Sequence, residues 1–203
     1  MRRMLGLAAL LVACGAVITA CDDRAPTTPL TRASLAPKRL RGAATTTTTA
    51  TDTSQVVTVL KRSVKLREDI VQSWVVDERE TELSIPSLGF VLDIERGALS
   101  GPTLITVRAP GGEMGELVTY EFEPHGLQFL QGVQIKQDLR YTNAYGKEVA
   151  LHGGYFRDST AVDPSTETAT ITESYPVTLD VTRSLARFDI RHFSGYLLAS
   201  GRQ

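Results

Sequence analysis

Val133-Gln134-Ile135-Lys136-Gln137-Asp138-Leu139-Arg140-Tyr141 alternates along its length, with odd positions mostly apolar and even positions polar. Successive side chains of a strand point to opposite faces, so this pattern describes a strand buried on one face and wet on the other. The same period returns in Val177-Thr178-Leu179-Asp180-Val181 and in Phe188-Asp189-Ile190. Leu104-Ile105-Thr106-Val107 and Val118-Thr119-Tyr120-Glu121-Phe122 carry the β-branched and aromatic bias of strands. Turn formers separate these runs at Gly101-Pro102, Pro110-Gly111-Gly112 and Pro124-His125-Gly126. Short strands at this spacing predict an all-β domain over residues 56–203, a sandwich or a barrel. Leu66 to Val76 fits two patterns: Leu66, Ile70 and Trp74 have helical spacing, and Ser73-Trp74-Val75-Val76 reads as a strand. The β context favours the strand.

Working toward the N-terminus, residues 22–55 are rich in Thr, Ala, Pro and Arg and include Thr45-Thr46-Thr47-Thr48-Thr49. Nothing there forms an apolar face, so burial would not repay the entropy of ordering, and a disordered tether is expected. As a coil it reaches on the order of 30 Å. Ahead of it, Arg2-Arg3 and an apolar run from Leu5 to Ala20 have the layout of a secretory signal peptide over residues 1–20. The run ends in Ile18-Thr19-Ala20-Cys21, which resembles the lipobox of bacterial lipoproteins. That resemblance implies a lipidated Cys21 as the mature N-terminus, held by the membrane of a bacterial envelope, inner or outer. Leu11-Val12-Ala13-Cys14 also fits the pattern, but cleavage there would leave Gly15 to Ala20 on the mature chain. Two or more acyl chains hold firmly where one holds marginally.

The two cysteines of the chain are Cys14 and Cys21, so the expected mature domain has none left for a disulfide or a thiolate metal site. Residues 22–55 carry five basic and three acidic side chains, and residues 56–203 carry 15 and 20. An acidic domain on a slightly basic tether argues against nucleic acid as the partner.

The run Leu92-Asp93-Ile94-Glu95-Arg96-Gly97-Ala98-Leu99-Ser100-Gly101-Pro102-Thr103-Leu104-Ile105-Thr106-Val107 resembles the signature of the ZU-five domain, the β-sandwich of zonula occludens proteins and uncoordinated-five netrin receptors. Three further blocks follow in the family's order: Tyr120 to Phe129, with its Pro124-His125-Gly126 turn; Val133-Gln134-Ile135; and His192-Phe193-Ser194-Gly195-Tyr196. Together they span about residues 80 to 199. Glu95-Arg96 stands where bacterial relatives more often have Pro. The resemblance implies an antiparallel β-sandwich and a role in protein–protein contact.

It also implies chemistry at one place. In some ZU-five domains a His-Phe-Ser turn cuts its own backbone. Carried onto this chain, Ser194 is the nucleophile on the Phe193 carbonyl, His192 takes and returns the proton, and Phe193-Ser194 is the scissile bond. The bland expectation for the same residues is structural. Phe193 and Tyr196 plug the core, Ser194-Gly195 makes the bend, and His192 bonds a nearby carbonyl.

Other constellations are weaker. His125, His152 and His192 are all the histidines, and none has ligand spacing, so no metal or cofactor is expected. Glu121 and Glu123 read as a solvated strand face. Trp74 and Tyr155-Phe156 would line a glycan platform only if exposed in a row. The expectation is a membrane-anchored, non-enzymatic module that is structural or binds an unknown protein. Self-cleavage at Phe193-Ser194 and glycan adhesion are the alternatives.

Overall fold

Val133, Ile135 and Gln137, the positions that the alternation turns inward, are all at most 2% exposed. The computed structural model describes residues 54–202, and extended backbone dominates them. The strands are β1 (Gln55–Val59), β2 (Ile70–Val76), β3 (Thr81–Ile85), β4 (Phe90–Ile94), β5 (Thr103–Ala109), β6 (Thr119–Glu123) and β7 (Gln128–Asp138). After them come β8 (Leu151–Phe156), β9 (Val162–Asp163), β10 (Thr168–Ile171), β11 (Glu173–Pro176), β12 (Thr178–Asp180), β13 (Leu185–His192) and β14 (Gly195–Arg202). Leu66 to Val76 resolves into β2, begun at Ile70. Cys14, Cys21 and the Thr-rich segment lie outside the described residues.

Two antiparallel sheets form a β-sandwich. The larger has nine strands in the order β2-β5-β6-β14-β1-β10-β9, with β8 paired to β14 and β11 paired to β8. The smaller has the order β12-β13-β7-β4-β3. Between them lie Phe90, Leu92, Ile105, Val107, Phe122, Ile135 and Tyr196, each at most 2% exposed. Fully burying one such aliphatic or phenyl side chain contributes about 1.5–3 kcal/mol.

Two details depart from the sequence pattern. The strand expected to reach Tyr141 stops at Asp138, because Leu139–Tyr141 tightens into a 3-10 turn capped by the Asp138 carboxylate on the Arg140 amide. Val177 to Val181, expected to be half buried, supplies the short edge strand β12, where Leu179 is 40% exposed and Val181 beyond it 76%. An edge strand has a neighbour on one side only, which leaves these apolar positions partly open to solvent.

Candidate functional site

The chain changes sheets at Phe193-Ser194. Strand β13 ends at His192 in the smaller sheet and β14 starts at Gly195 in the larger, so these two residues are the whole crossing. Gly195 makes the crossing fit: a Cβ there would stand 2.4 Å from the Phe156 ring. Phe193 turns into the core at 0% exposure, stacked on Phe122 at 5.1 Å and edge-on to Phe129 at 4.8 Å. Three backbone bonds fasten the crossing to the Pro124-His125-Gly126 turn and its flanks. Phe193 N–H donates to the Leu127 carbonyl, Gly126 N–H to the Phe193 carbonyl, and Phe122 N–H to the Ser194 carbonyl, each at 2.9 Å.

His192 is held from two sides. Its Nε2 lies 3.2 Å from Glu173 Oε1 on β11, and its Nδ1 lies 3.3 Å from the Tyr196 hydroxyl. That hydroxyl also donates to the His192 carbonyl at 2.7 Å. The second Glu173 oxygen accepts from the Tyr175 hydroxyl. Burial pushes the Tyr175 and Tyr196 phenols far above their ordinary value. The Tyr155 ring meets the imidazole edge-on at 4.9 Å.

Beside the crossing opens a cleft of about 580 Å³, walled by His125, Tyr155, Arg157, Glu173, His192 and Ser194 among others. The structure thus gathers His192, Phe193 and Ser194 with His125, which lies far off in sequence. His152 sits elsewhere, at the start of β8 beside Pro176 and Ala199. Among the described residues no group of three or more His, Cys, Asp or Glu is placed to hold a metal ion.

Chemically the crossing is half arranged for an acyl shift. The Gly126 N–H occupies the position of an oxyanion donor on the Phe193 carbonyl. The proton path is not aligned. Both imidazole nitrogens face Glu173 and Tyr196, and among the described residues Ser194 Oγ has no hydrogen-bond partner. Neither Phe193 nor Ser194 has a positive φ; among the described residues the non-glycine residues that do are Glu167 and Ser184. The expected partner of His192 was a carbonyl. Its imidazole instead meets the Glu173 carboxylate, 19 residues away, which no local motif announces.

The remaining candidates separate. Glu121 is ion-paired to Arg108 at 2.5 Å on the outer face of the larger sheet. Trp74 and Tyr155 are each half buried against the core, and β5, β6 and β14 stand between their strands, roughly 19 Å in all. They form no aromatic row. Compared with known proteins, the chain matches no family model and no curated sequence.

Proposed function

We propose that this chain is a bacterial envelope lipoprotein, anchored through an acylated Cys21, whose β-sandwich is a structural or protein-interaction module without catalysis of its own. The observation that carries the non-catalytic part is the commitment of the His192-Phe193-Ser194 crossing to architecture. The Phe193 ring is in the core, and both His192 nitrogens are taken by Glu173 and Tyr196. The ordered resemblance of four blocks to the ZU-five domain supports an interaction role. The leader ending in Ile18-Thr19-Ala20-Cys21 supports the anchor.

A second reading, self-cleavage between Phe193 and Ser194, is favoured by the Gly126 N–H on the Phe193 carbonyl alone. One measurement tests both. The full chain is expressed in a bacterial host, recovered from membranes, and its intact mass is taken under denaturing conditions. The expected mass is that of Cys21–Gln203 plus its acyl groups, with the lipid mass absent from Cys21→Ala. An unmodified mass overturns the anchor. A shortfall of the ten residues Ser194–Gln203, restored in Ser194→Ala, overturns the non-catalytic module.

A further inference from the structure

The cleft beside the crossing collects donors that the protein itself does not use. Among the described residues, the Arg157 guanidinium has no hydrogen bond and no ion pair within 4.0 Å. The adjacent Asp158 carboxyl, held below its ordinary value first by the Thr160 hydroxyl, is lowered further by the Arg157 charge. The His125 imidazole, the Gln128 amide and the Ser194 hydroxyl have no hydrogen bond among the described residues either, and these three line the cleft with Arg157. The register explains why they converge. Gly195 pairs with Phe156, so Arg157 continues β8 alongside Ser194. His192 pairs with Gln128, so the start of β7 brings its amide beside the end of β13. The acid among the cleft residues, Glu173, already accepts from His192 and from Tyr175 with its two oxygens.

An array of unused donors around one guanidinium fits a ligand that brings acceptors and negative charge. Arginine presents paired N–H groups in a plane, the geometry of a carboxylate. Charge bears on the valence. Arg157 contributes one positive charge, and Glu173 lies on the same wall. A singly charged carboxylate matches Arg157 in charge and in planar shape, and each further negative charge on a ligand adds repulsion from Glu173 along with attraction to Arg157. Tyr155, half buried with its ring against His192, gives the carbon skeleton beside such a carboxylate a surface to lie on.

We propose that this cleft binds a peptide carboxylate, either a free C-terminus or an acidic side chain, with Arg157 as the principal anchor and His125, Gln128 and Ser194 as further donors. The site rests on the interaction-module reading and names the chemistry of its partner.

The test is an NMR titration of the full chain in mild detergent, following the imidazole resonances. The chain has three histidines, two of them in the cleft and His152 outside as an internal control. The probes are N-acetyl-dialanine with a free C-terminus, N-acetyl-glutamate amide, N-acetyl-dialanine amide and inorganic phosphate. Saturable shifts of His125 and His192 are expected with at least one carboxylate probe and not with the amide. The stronger carboxylate probe identifies the source. Affinity should fall at least tenfold in Arg157→Gln, fall less in Arg157→Lys, and stay unchanged in Arg96→Gln on another surface. Arg157 is exposed, so its variants keep the fold, which the amide spectrum checks. No saturation, an unaltered affinity in Arg157→Gln, or phosphate binding as tightly as the carboxylates would overturn the site. These outcomes are read on an intact chain, whereas failure of the module reading appears as the ten-residue mass loss.

Discussion

Arg62 takes a guanidinium into the interior, where it is 8% exposed, and among the described residues no carboxylate meets it. Its Nη1 donates to the Tyr120 hydroxyl at 3.1 Å and its Nη2 to the Thr119 carbonyl at 3.0 Å, with the guanidinium carbon 4.9 Å from the Tyr120 ring centroid. Arg62 Nε and Thr119 Oγ1 are buried without a partner. The Tyr120 hydroxyl passes the network on, donating to Gln137 Oε1 at 2.6 Å, and Gln137 Nε2 donates to the Leu88 carbonyl at 2.8 Å. Tyr120 belongs to the larger sheet and Gln137 to the smaller, so the network ties the two layers at one register. Removing a middle member strands groups on both sides, whereas replacing an end member with an apolar chain of similar length removes the desolvation cost with it. Tyr120→Phe should therefore cost about 2–4 kcal/mol and Arg62→Met about 1 kcal/mol or less. Urea unfolding of the two variants at a common slope measures this. The reverse order would mean that the cation's own contacts, and not the link between sheets, carry the stability.

Strand β2 is at the far edge of the larger sheet and, among the described residues, pairs with β5 alone. Ile70 and Trp74 pack half buried against the core and Val76 is buried in it; the odd positions form an outer face with β5, where Val71, Val75 and Leu104 are 54%, 75% and 60% exposed. An edge with a flat apolar face is a template for unwanted pairing, which a lysine suppresses. Val75→Lys should leave stability within about 0.5 kcal/mol, since the side chain is largely exposed, and should lower light scattering at high concentration. A loss well above that would mean that Val75 and Leu104, direct cross-strand neighbours, stabilise the edge as a pair. Elements such as β5, β6 and β13 were legible because each has a buried face that its own residues spell out, whereas β2, with Val76 its one buried position, reads as a strand only through its β context. Where the pattern misled, position in the sheet was the cause: Leu179 alternates like a core residue and lies on an edge, and Gln137 breaks the apolar pattern because the Tyr120 hydroxyl and the Leu88 carbonyl satisfy it. The crossing was legible in part. Phe193 and Tyr196 are core residues as their types suggest, but the Glu173 that orients His192 comes from β11, and Arg157 joins the cleft only through the pairing of β8 with β14. Pairings of that kind are not written in either strand alone.

Over the whole sandwich, titratable groups are arranged so that folding is favoured in the middle of the pH scale and opposed at both ends. Several carboxyls are held below the ordinary aspartate value of 3.8: Asp69 by the Gly111 N–H and Arg108, Asp138 by Arg140, Asp163 by the Ser165 hydroxyl and Asp180 by the Thr182 hydroxyl. A depressed carboxyl contributes stability that is complete above its unfolded value and is lost as pH falls through its folded one, because the unfolded chain takes up the proton first. These losses begin below about pH 4 and accumulate as acidity increases. At the other end, burial raises the phenols of Tyr120, Tyr175 and Tyr196 above their ordinary value of 10.0. A raised group contributes stability that is complete below its unfolded value and lost as pH rises beyond it, since the unfolded tyrosine ionises while the folded one is held neutral. Lys61, raised by its bonds to Glu167 and Glu116, acts in the same direction. Unfolding free energy should thus be flat from about pH 5 to 9, fall below about pH 4 and fall again above about pH 10. Denaturant titrations across that range measure both limbs. Tyr175→Phe sharpens the alkaline one: phenylalanine cannot ionise, so the variant should lose less stability than the parent between about pH 9 and 11. An alkaline limb of the same slope in both proteins would show that the Tyr175 phenol ionises as readily folded as unfolded, and that its bond to Glu173 leaves it open to water.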